Sequence, residues 1–285
     1  FSNYQKMNID NYIALTRLNK PIGILLLLWP TLWALFAASH GLPSSHNLYV
    51  FILGVILMRS AGCIINDICD RHFDKHVHRT RHRPLANGEI PVIHAIVLFF
   101  SLSLMAFALA LTLNQLTLVL ACIGFLLACF YPLMKRHTHL PQAFLGITFA
   151  WAIPMAYTAT TNHVTLATGL LYCATLCWVI AYDTQYAMVD RDDDLKINIK
   201  STAILFGQYD RLCVAILHLF SLFFLTLFGV TEHYHWSFFL CVFIALGLAG
   251  YQQWLIKTRT PQHCFRAFLH NQWYGMVIFL GIVLQ

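Results

Sequence analysis

Nine apolar stretches divide the chain, at roughly 22–38, 47–66, 91–112, 116–134, 142–160, 165–183, 211–230, 236–256 and 267–285. Each is close to the ~20 residues that a helix needs to cross the hydrocarbon layer. Backbone in lipid must satisfy its own hydrogen bonds, so runs of this length become helices rather than open sheets. The expected fold is therefore all-α: an integral membrane bundle of nine transmembrane helices, read as a single domain over residues 1–285. Pro30 and Pro154 fall inside two segments and are expected to bend them.

Composition agrees. Charged residues make up 11% of the chain and hydrophobic ones 59%, against roughly 25% charged in a soluble domain. So few charges cannot cover a water-facing surface, which makes membrane lipid a partner of the fold. The formal charge of +6 does not indicate nucleic acid, because the basic residues lie between apolar runs and build no continuous basic face. The nine cysteines are odd in number, sit mostly inside apolar segments and show no CxxC spacing, so they read as unpaired packing residues. The N-terminal residues show no signal-peptide pattern.

The loops alternate in charge. Lys6, Arg17 and Lys20 precede the first segment; Arg71, Lys75, Arg79, Arg81 and Arg83 follow the second. Lys135 and Arg136 follow the fourth, Arg191, Lys196 and Lys200 the sixth, and Lys257, Arg259 and Arg266 the eighth. The intervening loops at 39–46, 113–115, 161–164 and 231–235 contain no Lys or Arg. With nine spans every basic loop lies on one side, which the positive-inside rule makes cytoplasmic. The N-terminus is then cytoplasmic and the C-terminus outside. Of the acidic residues only Glu232 falls on the outer side, so the titratable chemistry gathers in the two long cytoplasmic loops, 67–90 and 184–210.

Both of those loops open with aspartates. Asn66, Asp67, Asp70 and Asp74 begin where the second segment leaves the membrane. If the helix continues, the three acids are spaced i, i+3, i+7 and share a face. Asp183, Asp190 and Asp194 are spaced i, i+7, i+11, again one face, while Asp192 and Asp193 point elsewhere. Like charges stacked on one face repel, and a cation relieves the repulsion. Carboxylate and amide oxygens suit a hard ion, Mg²⁺ or Ca²⁺; Mg²⁺ commonly sits between one or two carboxylates and substrate phosphates. Arg79, Arg81, Arg83, Lys135, Arg136, Lys196 and Lys200 lie on the same side and supply cations for phosphate oxygens. One such segment is ordinarily a solvated loop end. Two, each with one-face spacing at the cytoplasmic end of a span, point to a metal and diphosphate site.

The segment "NDICDRHFD" fits NDxxDxxxD, and "DTQYAMVDRDDD" fits DxxYAxxDxxxD, the two motifs of the UbiA-type intramembrane prenyltransferases, which the chain resembles over almost its whole length. The stretches "RLNKPIGILLLLWPTLWAL", "RHRPLANGEI", "YPLMKRHTHLPQ", "WAIPMAY" and "DRDDDLKINIKSTAILFGQYD" are similar to the members that prenylate 4-hydroxybenzoate in ubiquinone biosynthesis. The resemblance implies helices around a central cavity with a lateral opening to lipid, in the bacterial inner membrane. It implies a polyprenyl diphosphate donor, a 4-hydroxybenzoate acceptor and Mg²⁺ as cofactor. Carried over by motif position, Asn66, Asp70, Asp74, Asp190 and Asp194 are the expected Mg²⁺ ligands. Asp67 and Asp183 join these aspartates as expected catalytic residues, Asp183 as a base or a positioning group. Arg17, Arg79, Arg83, Lys135, Arg136, Lys196 and Lys200 are the expected diphosphate contacts.

An acceptor with a carboxylate needs a cation. Arg59 lies eight residues before Asp67, thus ~12 Å deeper at 1.5 Å rise per residue. An arginine at that depth costs at least ~2.5–3.5 kcal/mol and should face the interior with a partner. It is either the acceptor contact or a structural ion pair; Arg136 and Lys135 are rival contacts. Tyr131 and Tyr186 are candidates to place hydroxyls near the head group. His72, His76, His78 and His82 form two H-x₃-H pairs, a spacing also compatible with Zn²⁺. The alternatives are a family member with another acceptor, or an ion-coupled transporter, whose charges would gather nearer the midplane. A CDP-alcohol transferase is disfavoured because its DGxxAR start is absent.

Overall fold

The computed structural model describes residues 9–75 and 79–285, with the Lys135 side chain left out. Lys6, His76 and His78 therefore lie outside the described residues, as does the Lys135 side chain. Among the described residues there is no strand. The helices are α1 (Ile9–Leu15), α2 (Ile22–Ser39), α3 (Ser45–Asp74), α4 (Val92–Ala110), α5 (Gln115–Phe130), α6 (Met134–His137), α7 (Pro141–Ala150), α8 (Ala152–Thr161), α9 (Leu166–Lys196), α10 (Thr202–Phe206), α11 (Asp210–Thr231), α12 (Trp236–Leu255) and α13 (Pro261–Val283).

Among the described residues eight helical stretches are long and apolar enough to cross a membrane, α7 with α8 and α10 with α11 each counting as one. The remaining long helix, α13, is not among them. It carries His263, Arg266, His270, Asn271 and Gln272, of which Asn271 is fully buried. Pro154 has no N–H to offer Ala150, and the fifth apolar segment breaks at Trp151 between α7 and α8. Pro30, by contrast, is absorbed within a continuous α2.

Consecutive helices pack together, α3 on α4 and α12 on α13, and so do helices distant in the chain: α11 and α7 on α9, α13 on α2 and α9, and α2 on α8. Trp178 of α9 is fully buried and stacks on Trp33 at 5.2 Å between ring centroids and on Tyr274 at 5.3 Å. The Trp33 indole donates to Gly275 O at 2.9 Å. Gly275 has no alternative, since a Cβ there would lie 2.5 Å from the Trp29 ring. All nine cysteines are unpaired.

α3 and α9 are 30 and 31 residues long, about 45 Å at 1.5 Å per residue against a hydrocarbon layer of ~30 Å. Each therefore extends well past its apolar segment. This corrects the expected loops at 67–90 and 184–210: both begin as helix, as far as Asp74 and Lys196. The aspartates sit on these extensions, and rigid helix rather than loop sets their spacing.

Candidate active site

A cavity of about 1210 Å³ enters the bundle between the ends of α3 and α9. Its mouth is lined by Asn66, Asp67, Asp70 and Asp74 from α3, by Asp183, Asp190 and Asp194 from α9, and by Arg17, Arg79, Arg83 and Lys200. The two aspartate segments, more than a hundred residues apart in the chain, thus face one space. Further in, the walls become apolar: Leu26 and Leu27 of α2, Phe51, Val55 and Met58 of α3, Leu113, Phe125 of α5, and Met155 of α8. Phe100 and Leu104 of α4 and Cys122 and Leu126 of α5 line the cavity while remaining exposed.

The mouth is a network of ion pairs. Asp67 is 1% exposed. Arg17 Nη2 donates to both its oxygens, at 2.9 and 2.7 Å. Arg83 Nη1 donates to Asp67 Oδ1 at 2.9 Å and to Asp74 Oδ2 at 2.8 Å, fastening the 79–90 loop to α3. Across the cavity Arg79 Nε donates to Asp190 Oδ1 at 2.8 Å, its Nη2 to Asp190 Oδ2, and its Nη1 to the Tyr186 hydroxyl. The Arg79 guanidinium also lies 4.5 Å from the centre of the Tyr186 ring. Burial works to lower the pKa of Arg79, but Tyr186 and Asp190 outweigh it and the net shift is upward. Arg83 behaves likewise, with burial opposed by Asp67 and Asp74. Both remain charged at any physiological pH. Arg17 reaches Asp67 from a left-handed backbone, φ +59°, a conformation uncommon outside glycine.

The donor set fits a hard cation with few protein ligands. Asn66 Oδ1 is buried and has no hydrogen-bond partner, a state natural proteins rarely tolerate without a use for it. Asp67, Asp70 and Asp74 are all buried. Among the described residues no three His, Cys, Asp or Glu side chains form a ready cage. Mg²⁺ takes one or two carboxylates and completes its shell with water and phosphate, and these hard oxygens suit it.

Deeper in stands Arg59. Its Nη1 donates to Cys63 Sγ at 2.7 Å, its guanidinium lies 5.7 Å from the Phe149 ring centre, and its Nε is buried without a partner. Gly23 makes room for it, since a Cβ there would come within 2.6 Å of Nε and Nη2. Tyr131 and Tyr182 line the same region, and the Tyr182 hydroxyl is also buried without a partner. Sequence reasoning missed Gly23 and Tyr182. Tyr182 adjoins Asp183 and carried a faint signal; nothing in the chain announced the Gly23 contact.

Two expected contacts sit elsewhere. Lys196, its side chain 72% exposed, pairs with Asp193 at 3.1 Å and does not line the cavity. At i+2 from Asp194 it points to another side of α9. Arg136 is exposed, donates to Cys69 O at 2.6 Å and lies 5.2 Å from the Phe73 ring centre. It borders a small recess of about 290 Å³ that shares Asp70 and Phe73 with the cavity mouth, rather than the cavity itself.

A helical membrane bundle whose charged mouth leads to an apolar interior is the architecture of an enzyme that handles a lipid with an anionic head. The chain belongs to the UbiA prenyltransferase family, whose model matches residues 27–278. It is 54% identical over 279 residues to a 4-hydroxybenzoate octaprenyltransferase from Coxiella burnetii (strain CbuK_Q154), covering 98% of this chain and 97% of that one. It is 56% identical over 273 residues to the 4-hydroxybenzoate octaprenyltransferase of Tolumonas auensis, covering 96% of each. Among solved structures, the apo UbiA homolog from Aeropyrum pernix K1 superposes with a TM-score of 0.80 at 22% identity, over 92% of this chain and 97% of that one. A UbiA homolog from Archaeoglobus fulgidus bound to GPP and Mg²⁺ gives 0.72 at 17% identity, over 94% and 99%. These two likenesses show the shared fold.

Proposed function

We propose that the protein transfers a polyprenyl group from a polyprenyl diphosphate to the ring carbon of 4-hydroxybenzoate ortho to its hydroxyl, with Mg²⁺, as a step of ubiquinone biosynthesis. The carrying observation is one cavity that joins a charged mouth, an arginine deeper in its wall with an unpartnered Nε, and an apolar interior. More than half identity to 4-hydroxybenzoate octaprenyltransferases over nearly the full chain supports the acceptor. In this reading residues 1–285 act as one unit of nine spans, α13 included. It sits in the bacterial inner membrane with its N-terminus and cavity mouth on the cytoplasmic side, as the basic loops require.

Asn66, Asp70 and Asp74 on one wall and Asp190 and Asp194 on the other would hold Mg²⁺. The ion, when bound, neutralises charge on the leaving diphosphate. Arg17 and Arg83 pair with Asp67, Arg83 also with Asp74, and Arg79 with Asp190. These guanidinium groups would offer cations to phosphate oxygens beside the carboxylates that would hold the metal, so that no buried charge need stand alone. Lys200 adds a cation at the mouth. The prenyl tail enters from lipid between α4 and α5 and lies in the apolar interior. Arg59 meets the acceptor carboxylate, and Tyr131 and Tyr182 border the ring.

As the C1–O bond breaks, its electron pair leaves with the diphosphate and C1 becomes an allylic cation. Phe149, Tyr182 and Phe268 present aromatic faces that stabilise the cation and keep water away. The ring carbon attacks C1, and the proton it loses passes to the Asp183 carboxylate. Purified protein in detergent, given Mg²⁺, geranyl diphosphate and 4-hydroxybenzoate, should form 3-geranyl-4-hydroxybenzoate, read by mass spectrometry. Folded protein that forms no such product, with Mg²⁺ present, would refute the proposal.

A further inference from the structure

Asp210 is a carboxylate with 0% exposure that takes no part in the cavity. It opens α11, and three groups close on it. Arg211 N donates to Oδ1 at 2.6 Å, Arg259 Nε donates to Oδ1 at 3.0 Å and to Oδ2 at 3.1 Å, and Arg191 Nη2 donates to Oδ2. The two arginines then hold backbone: Arg191 Nη2 donates to Ala203 O of α10 at 2.9 Å, and Arg259 Nη2 to Gln208 O at 2.8 Å. One buried carboxylate thus ties together the end of α9, α10 with the turn that follows it, and the connection from α12 to α13. Gly207 and Arg259 both take left-handed backbone here, φ +53° and +56°; for an arginine that conformation persists only where its surroundings hold it.

Arg191 lies between Asp190 and Asp192, inside the second aspartate segment. Asp190 and Asp194 line the cavity and Arg191 does not; at about 100° per residue its side chain leaves on another side of the helix. The last turns of α9 also need outside support. Asp190, Asp192, Asp193 and Asp194 crowd the C-terminal end of a helix, where the macrodipole already disfavours negative charge and like charges three and four residues apart repel. Left to itself this end would fray.

We propose that Arg191, Asp210 and Arg259 form a positioning lock. It holds the last turns of α9 so that Asp190 and Asp194 stay opposite Asn66, Asp70 and Asp74 across the cavity. These are positioning residues; none touches substrate. The inference rests on the reading of the second aspartate segment as the metal and diphosphate arm.

The test compares wild-type enzyme with Arg259→Gln, Arg259→Lys and Asp210→Asn in detergent. It measures half-saturating Mg²⁺, KM for geranyl diphosphate, KM for 4-hydroxybenzoate and thermal stability. Arg259→Gln removes one arm and leaves Asp210 paired with Arg191, so it remains decisive if Asp210→Asn does not fold. The lock predicts at least a fivefold rise in half-saturating Mg²⁺ and in KM for the diphosphate with Arg259→Gln. It predicts an acceptor KM within about twofold of wild type, and substantial rescue by Arg259→Lys. A merely structural role lowers thermal stability and the active fraction while leaving half-saturating Mg²⁺ unchanged; that result overturns the inference. Wild-type enzyme without Mg²⁺-dependent transfer overturns the underlying reading and this inference with it. Mg²⁺-dependent wild type with unshifted variants overturns this inference alone.

Discussion

Replacing Asn66 with leucine should separate stability from function with opposite signs. Asn66 Oδ1 is buried without a hydrogen-bond partner, and an orphaned acceptor costs about 1–3 kcal/mol. Asn66 borders the cavity, so a side chain of leucine size has space. Leucine also favours helix over asparagine by a few tenths of a kcal/mol. Taking the lower end of the desolvation range, Asn66→Leu should be more stable than wild type by about 1 kcal/mol. For a chain of this size that is a rise of roughly 2–4 °C in melting temperature. Ligand reverses the order. At one hundred times Kd a ligand stabilises by about 2.7 kcal/mol; a tenfold loss of affinity at the same concentration reduces this to about 1.4. Thermal unfolding in detergent should be followed with and without Mg²⁺ and geranyl thiolodiphosphate, beside a transfer assay. The expected variant melts higher than wild type alone, gains less from ligand and loses most of its activity. A variant that melts lower without ligand, or gains as much from it as wild type, would refute the assignment of this oxygen to the metal.

Gly23→Ala should displace the Arg59 guanidinium, which lies within 2.6 Å of the new Cβ. Because that guanidinium ends a flexible side chain, the expected result is a severalfold rise in KM for 4-hydroxybenzoate with little change in melting temperature; steady-state kinetics check it. Gly275→Ala meets the rigid Trp29 and Trp178 rings at 2.5 and 2.9 Å. It should cost about 1–3 kcal/mol, the usual penalty of overpacking, seen as a lower midpoint in thermal unfolding. Lys196→Ala should leave kcat/KM within about twofold of wild type, since Lys196 points to solvent and pairs with Asp193; a tenfold loss would return it to the diphosphate site.

The chain by itself determined what local periodicity and charge can carry. Apolar runs of ~20 residues define the spans, because lipid rewards nothing else. Basic residues recur in every second loop, the pattern from which the positive-inside rule reads an orientation. Asp67, Asp70 and Asp74 share one helix face by arithmetic alone, as do Asp183, Asp190 and Asp194, and their hard oxygens already suggested a metal. α13 was legible as a helix, but it carries polar residues, such as Asn271 bonded to Trp178 and Gln185, and is not among the eight stretches long and apolar enough to cross a membrane among the described residues. Tertiary structure decided everything that joins distant parts of the chain. Which arginine meets which aspartate depends on how α3 and α9 face each other, so Arg79 found Asp190 while Lys196, nearer in sequence, turned outward. The room that Gly23 leaves for Arg59 depends on how closely α2 approaches α3. The lock around Asp210 draws its cations from 19 residues before it and 49 after it. The aspartate segments were readable because a helix repeats every 3.6 residues; the partners that complete them were not, because side chains meet across helices only where packing places them.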